Sequence, residues 1–199
     1  MTAALVVLGG YVLGSMPFGY WLVRLVKGED VRRAGSGSIG ASNVWRTYGR
    51  SYGIPVVLLD IAKGLVPALV GTILVDELTG ALAGGFAMLG HWRPLFLRFQ
   101  KGGKAVATAS GTLFGIATLL GLIAMGLWLT TFLVTRYTSV ASIVVAVALP
   151  FAALVLGEPW PVVVFAVAAS VAVLLLHRPN IARLRAGTES RFALRRRAA

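Results

Sequence analysis

The sequence has no cysteine, only two histidines, and just seven acidic residues in 199. Without cysteine, disulfides and thiolate chemistry are excluded. Two histidines cannot complete a zinc site alone, and no cluster of histidines with carboxylates joins them. No metal or other cofactor is therefore expected. A Ser-His-Asp order and a carboxylate dyad are both missing, which leaves the chain poor in candidate bases. The nucleotide-binding pattern G-x-x-x-x-G-K-[ST] also fails, because Gly40 is followed by Ala41 where lysine is needed. The opening run MTAALVVLGGYVLGSMPFGYWLV lacks the basic leader and small-residue cleavage site of a signal peptide. It is expected to remain on the chain as a span. No internal repeat is visible.

Charge is scarce as well. Only 13% of residues are charged against 57% hydrophobic, and the mean hydropathy is +0.82. Soluble domains carry roughly 25% charged residues. The composition therefore points to an all-α, polytopic integral membrane protein. The net charge of +12 does not point to nucleic acid, because the basic residues are confined to short segments between apolar runs. Those runs cover about 3–25, 54–75, 80–97, 105–135, 139–156 and 160–177. A helix needs about 20 residues to cross the hydrocarbon.

Basic loops face the cytoplasm. Lys27, Arg32, Arg33, Arg46 and Arg50 thus place the first loop inside and the N-terminus outside. Asp76 and Glu77 then fall outside, and Arg98, Lys101 and Lys104 inside. Lys104 and Arg136 both belong inside, so an even number of crossings must separate them. The intervening stretch has about 31 residues, roughly 46 Å as helix, too long for one span and too short for two. A short helix breaking near Gly111, Gly115 or Gly121 and followed by a full one satisfies the parity. The expectation is seven transmembrane helices, one short or broken, with the C-terminus cytoplasmic. Residues 1–192 form one membrane domain, and 193–199 a basic cytoplasmic tail. Small residues such as Gly84–Gly85 and the Ala/Ser-rich stretch 165–172 suit close helix contact.

Four polar groups fall at the cytoplasmic ends of these helices. In GSGSIGASNVWR, residues 35–46, glycines let the main chain approach a ligand, and successive amides can form an anion-binding nest. Ser36, Ser38, Ser42 and Asn43 add side-chain donors, and Arg46 can clamp a phosphate. A plain flexible loop is the competing reading. In KGGKAVAT, Gly102 and Gly103 precede Lys104 at an expected helix start, where free amides favour an anion. Lys104 supplies a point charge, unless it merely anchors the inner face. His91 lacks the aspartate that soluble acyltransferases place four or five positions later, and reads as an interior residue. Ser139 suits a helix cap, and Ser142 lies one turn deeper. His177 and Asn180 close the last apolar run, and Arg183 and Arg185 suit anionic headgroups. Asp60 and Lys63, an i,i+3 pair, either neutralise each other or function. Together these residues describe a cytoplasm-facing, membrane-embedded site for a ligand that brings its own phosphate.

In their order and spacing, these motifs resemble those of the bacterial acyl-phosphate:glycerol-3-phosphate acyltransferase family. The family pattern Gly-Ser-Gly-Asn-x-Gly-Ala-Thr-Asn-x-x-Arg is matched by Gly35–Arg46 except at Ser38 and Ser42. Asp60, Lys63 and Gly64 match the next motif, and Gly90, His91 and Pro94 another. Lys101–Thr108 matches Lys-Gly-Gly-Lys-Gly-x-Ala-Thr except at Ala105. Arg136, Tyr137, Ser139 and Ser142 follow, then His177, Asn180, Ile181, Arg183, Leu184, Gly187 and Glu189. The resemblance implies a seven-helix enzyme that moves a fatty acyl group from acyl phosphate, not acyl-CoA or acyl carrier protein, to the 1-hydroxyl of glycerol 3-phosphate. Lysophosphatidic acid and phosphate are the implied products, and no metal is needed. The implied partners are these two substrates and membrane lipid, with no nucleic acid, and the chain is expected to act as a monomer.

On this reading His177, Ser142 and Lys104 are the catalytic candidates. The phosphate- and substrate-binding candidates are Ser36, Gly37, Ser38, Gly40, Ser42, Asn43, Arg46, Lys63, Gly102, Gly103, Lys104, Ser142, His177 and Asn180. Ser38 in place of asparagine removes an amide donor and acceptor, and Ala105 in place of glycine opposes a positive φ. A membrane transporter of an organic phosphate is the competing function.

Overall fold

A computed structural model describes residues 1–192, so the expected tail 193–199 lies outside the described residues. Among the described residues the secondary structure is entirely helical. The helices are α1 (Thr2–Gly14), α2 (Phe18–Lys27), α3 (Ala41–Tyr48), α4 (Arg50–Leu74), α5 (Glu77–Trp92), α6 (Val106–Ile116), α7 (Thr118–Thr135), α8 (Thr138–Val155), α9 (Trp160–Leu176) and α10 (Arg178–Arg185). Short 3₁₀ turns lie at Val31–Arg33 and Leu95–Leu97.

Four helical stretches are long and apolar enough to cross a bilayer: Thr2–Lys27, Arg50–Leu74, Thr118–Thr135 and Thr138–Val155. Counting α9 with α10, which bend by 54° at His177, gives a fifth. α5 has 16 residues and α6 only 11.

The expected break in 105–135 is present. It falls at Ala117, whose φ of −154° and ψ of 76° interrupt the helix two residues past Gly115. The run 3–25, read as continuous, is instead interrupted at Ser15–Pro17. Pro17 lacks an N–H and cannot continue the hydrogen-bond ladder. At the break the Met16 carbonyl accepts hydrogen bonds from the Phe18 amide and from Lys63 Nζ, both at 3.1 Å. The run 80–97 also ends early, because Pro94 forbids helix beyond Trp92 and the chain tightens into the second 3₁₀ turn.

Helices approach closely where side chains are absent. Gly64 of α4 faces the Thr108 carbonyl of α6, and Gly111 of α6 faces the Ile61 carbonyl of α4, so the backbones touch reciprocally. Gly84 packs against the Thr112 side chain, whereas Gly85 faces open space. Ala166 and Ala169, from the small-residue stretch of α9, sit in the main apolar core with Leu113, Leu120 and Leu149. These contacts gather the starts of α3, α6, α8 and α10 around one cavity.

Candidate active site

The loop before α3 is held by Asn43. Its Nδ2 donates to the carbonyls of Ser38 at 2.8 Å and Ala34 at 3.1 Å, and its Oδ1 accepts the Ser36 N–H at 2.8 Å. Gly35 makes this possible: its φ is +57°, and a side chain there would collide with Asn43 Oδ1. The Gly37 amide bonds the Ala34 carbonyl, and the Gly40 amide bonds Ser38 Oγ at 3.2 Å. The expected anion nest is thus corrected in part. Asn43 and the amides of Ser36, Gly37 and Gly40 shape the loop and are not free for a ligand. The amides at the first turn of α3, Ala41 and Ser42, have no helical carbonyl to bond, and both residues line the cavity with Ser36, Ser38 and Gly40. Arg46, one turn further along α3, is exposed and donates to Thr138 Oγ1 at 3.3 Å.

Gly102 and Gly103 also correct the sequence reading. Their amides donate to the Trp92 and His91 carbonyls at 2.9 and 3.1 Å, closing the C-terminal end of α5. They do not line the cavity. Gly103 lies directly on the His91 imidazole, where any side chain would overlap the ring. Their effect is to deliver Lys104, whose Nζ lies 2.6 Å from Asn180 Oδ1. Burial pushes the Lys104 ammonium down to about 8, and neighbouring Arg183, Arg46 and Lys101 add to the fall while Glu189 opposes it.

Ala105 then starts α6 with φ +58° and ψ 12°, the left-handed conformation that costs an L-residue about 1–2 kcal/mol. The chain keeps the backbone that a glycine would favour and bears the strain. Ala105→Gly is therefore expected to raise stability by about 1 kcal/mol with activity retained, measured by thermal unfolding in detergent alongside the activity assay.

Lys63 is a further correction. Its ammonium pairs with Asp60 at 2.7 Å and bonds Met16, so it is buried and does not line the cavity. Asp60 itself does line it, as does His91, whose Nδ1 lies 3.6 Å from Asp60 Oδ1. Neither stands among the catalytic or binding candidates, although the sequence reading has Asp60 pairing or functioning with Lys63.

Glu189 is the residue the sequence reading undervalued. Its side chain is 3% exposed. Oε1 accepts from Ser139 Oγ at 2.7 Å and Asn180 Nδ2 at 2.6 Å, and Oε2 from Arg183 Nε at 2.7 Å. Burial alone would raise this carboxyl, but those three hydrogen bonds outweigh it and hold it below the ordinary range. The available signal was a lone acid amid the basic residues of the C-terminal stretch. Asn180 is oriented by Glu189, so its Oδ1 is turned to Lys104.

His177 is buried where α9 meets α10, with Nδ1 2.8 Å from the Val173 carbonyl. A carbonyl can only accept, which assigns the proton to Nδ1 and leaves Nε2 with a free lone pair. Ser142 Oγ donates to the Thr138 carbonyl at 2.8 Å and accepts from Trp128 Nε1 at 3.2 Å. Its remaining capacity is one acceptor site.

The cavity enclosed by these groups is about 200 Å³. Arg46, Lys104, Ser142, His177, Asn180 and Arg183 line it, together with the first residues of α3, α6 and α8. Four helix N-termini, including that of α10, meet there, each carrying about half a positive charge. Such a concave site attracts anions by backbone and side chain together. An apolar space of about 40 Å³ borders it and shares Ser110, Trp128 and Ser142. A groove of about 300 Å³ between α5 and α9 reaches Ala105.

A family model described as glycerol-3-phosphate acyltransferase matches residues 4–187. A glycerol-3-phosphate acyltransferase of Synechococcus sp. (strain JA-3-3Ab) is 44% identical over 192 residues, covering 96% of this chain and 94% of the relative. One of Rhodospirillum rubrum is 46% identical over 200 residues, covering 96% and 92%. Two crystal structures of PlsY, described as an integral membrane glycerol 3-phosphate acyltransferase, superpose on the chain. The glycerol 3-phosphate form gives a TM-score of 0.92 at 39% identity, and the lysophosphatidic acid form 0.88 at 37%. Each alignment covers 97% of this chain and 96% of the other.

Proposed function

The chain belongs to the glycerol-3-phosphate acyltransferase family, and from that premise we propose that it transfers a fatty acyl group from an acyl phosphate to the 1-hydroxyl of glycerol 3-phosphate. The products are lysophosphatidic acid and inorganic phosphate. The observation that carries this reading is the convergence of Lys104, Arg46 and helix N-termini on one cavity that also presents Ser142 and His177. Phosphoryl groups sit against the cations and free amides. The hydroxyl to be acylated sits against acceptors, the Ser142 oxygen and His177 Nε2.

The hydroxyl oxygen attacks the acyl carbonyl carbon. The carbonyl C–O bond to phosphate breaks, and the hydroxyl proton ends on the departing phosphate. Acyl phosphate is a mixed anhydride with a good leaving group, so orientation supplies much of the rate. His177 Nε2 accepts the hydrogen bond from the attacking hydroxyl and relays its proton to the phosphate. His177→Gln is accordingly expected to lower kcat by about 100-fold or more with KM little changed. A kcat at the wild-type level would assign the proton to the substrate phosphate alone.

In the same reading the chain makes seven passes through the bacterial inner membrane, with the N-terminus outside and the cavity facing the cytoplasm. Arg24, Lys27, Arg32 and Arg33 at one end of the bundle, against Asp76 and Glu77 at the α4–α5 turn, support this sidedness. The acyl tail lies between helices and reaches the site from the bilayer. The apolar spaces bordering the cavity support that path. The acyltransferase names of the relatives do not favour a transporter.

The test is to give the purified protein palmitoyl phosphate and glycerol 3-phosphate and to measure released phosphate and lysophosphatidic acid, with palmitoyl-CoA as the control donor. Product from palmitoyl-CoA and none from palmitoyl phosphate would overturn the donor assignment.

A further inference from the structure

The segment after α10 folds back over the site. Gly187 turns the chain at φ +69°, and the Thr188 amide returns to the Arg183 carbonyl at 2.8 Å. Glu189 is buried as described, and the Phe192 amide donates to the Arg136 carbonyl at 2.7 Å. Phe192 is only 6% exposed. Its ring meets Trp45 edge-on at 5.5 Å and Phe132 at 5.4 Å. Over its face lies the Arg46 guanidinium, 5.4 Å from the ring centroid.

Arg32, Arg93 and Arg191 also lie over aromatic rings, those of Tyr20, Trp92 and Tyr137, but of these four arginines Arg46 alone lines the cavity. Arg183 and Arg32 are fixed by carboxylates at 2.7 Å. Among the described residues Arg46 has no such ion pair, and its one side-chain hydrogen bond, to Thr138, is long. A carboxylate would orient Arg46 but also neutralise it. An aromatic face attracts the cation through the ring quadrupole and leaves every N–H free to donate. An exposed arginine without such support has many rotamers and loses them when a ligand binds.

We propose that Phe192 is a positioning residue that holds Arg46 at the cavity mouth, oriented and fully charged, for a substrate phosphoryl group. Trp45 and Phe132 hold the ring itself edge-on, so its face is presented to the guanidinium. This inference rests on the reading that Arg46 binds a phosphoryl group.

The experiment uses the full-length protein in detergent, with steady-state kinetics for palmitoyl phosphate and glycerol 3-phosphate. Arg46→Ala first identifies the substrate whose KM it raises. Phe192→Leu is expected to raise the same KM by about 3- to 30-fold with kcat within about twofold, while Phe192→Tyr stays near wild type. Adding Phe192→Leu to Arg46→Ala should change that KM no further, since a residue acting only through Arg46 has nothing left to act on. An unchanged KM in Phe192→Leu would overturn the inference. So would equal loss in the tyrosine and leucine variants, or additive effects in the double variant. If Arg46→Ala itself leaves both KM values unchanged, the phosphoryl-binding reading fails instead, and the two failures are told apart.

Discussion

Lys104→Ala is expected to lower kcat/KM by about 100- to 1000-fold, most of it as a rise in KM for a phosphorylated substrate. Lys104 is half-buried and held by Asn180 Oδ1 at 2.6 Å, and among the described residues no carboxylate forms an ion pair with it. Removing one partner of a desolvated, charge-assisted contact costs about 2–5 kcal/mol, which covers that range at 1.4 kcal/mol per decade. A wild-type KM for both substrates would remove Lys104 from the phosphate site.

The same residue sets a pH limit. Burial brings its ammonium down to about 8, so the free enzyme carries the charge below that pH and loses it above. Arg46, Arg183 and Lys101 surround it with like charge, and Glu189 is the opposing carboxylate. A phosphomonoester is a dianion above pH about 6. Because kcat/KM reports the free enzyme, it should hold level between about 6 and 8 and fall above about 8. Lys104→Arg, which stays protonated, should lack that alkaline fall whatever its absolute activity. A wild-type profile flat to pH 10 would overturn the assignment.

Glu189→Ala is expected to destabilise the protein by about 2–4 kcal/mol, read as a loss of several degrees in thermal unfolding in detergent. The side chain accepts three hydrogen bonds and balances Arg183. Removing one partner of a buried pair costs about 3–5 kcal/mol, reduced here because the Arg183 side chain is 42% exposed. Glu189→Gln keeps shape and one acceptor but removes the charge that raises Lys104. The alkaline fall in kcat/KM should therefore move below pH 8 in that variant. A stable Glu189→Ala protein with an unmoved profile would contradict both roles.

Much of this arrangement is legible in the sequence, because charge and apolar length obey strong constraints. The parity of basic loops demanded two helices between Lys104 and Arg136, and α6 and α7 are there. Ser142, His177 and Asn180 were legible because polar residues are rare in such a chain. The break at Ser15–Pro17 was hidden, since a proline within an apolar run is compatible with a continuous span. Gly102 and Gly103 misled for another reason. Two glycines before a lysine look the same whether their amides face a ligand or close the end of α5, and only the fold brings Trp92 and His91 under them. Lys63 and Asp60 were read as a pair that neutralises or functions. That the lysine turns to Met16 while the carboxylate borders the cavity depends on the break between α1 and α2.

The gathering of helix starts has a consequence for anyone scanning this protein by mutation. In the proposed reading, part of the attraction for phosphate comes from peptide groups, which every codon specifies alike. Replacing side chains one at a time will therefore account for less than the whole affinity, and a remnant should survive even combined replacement.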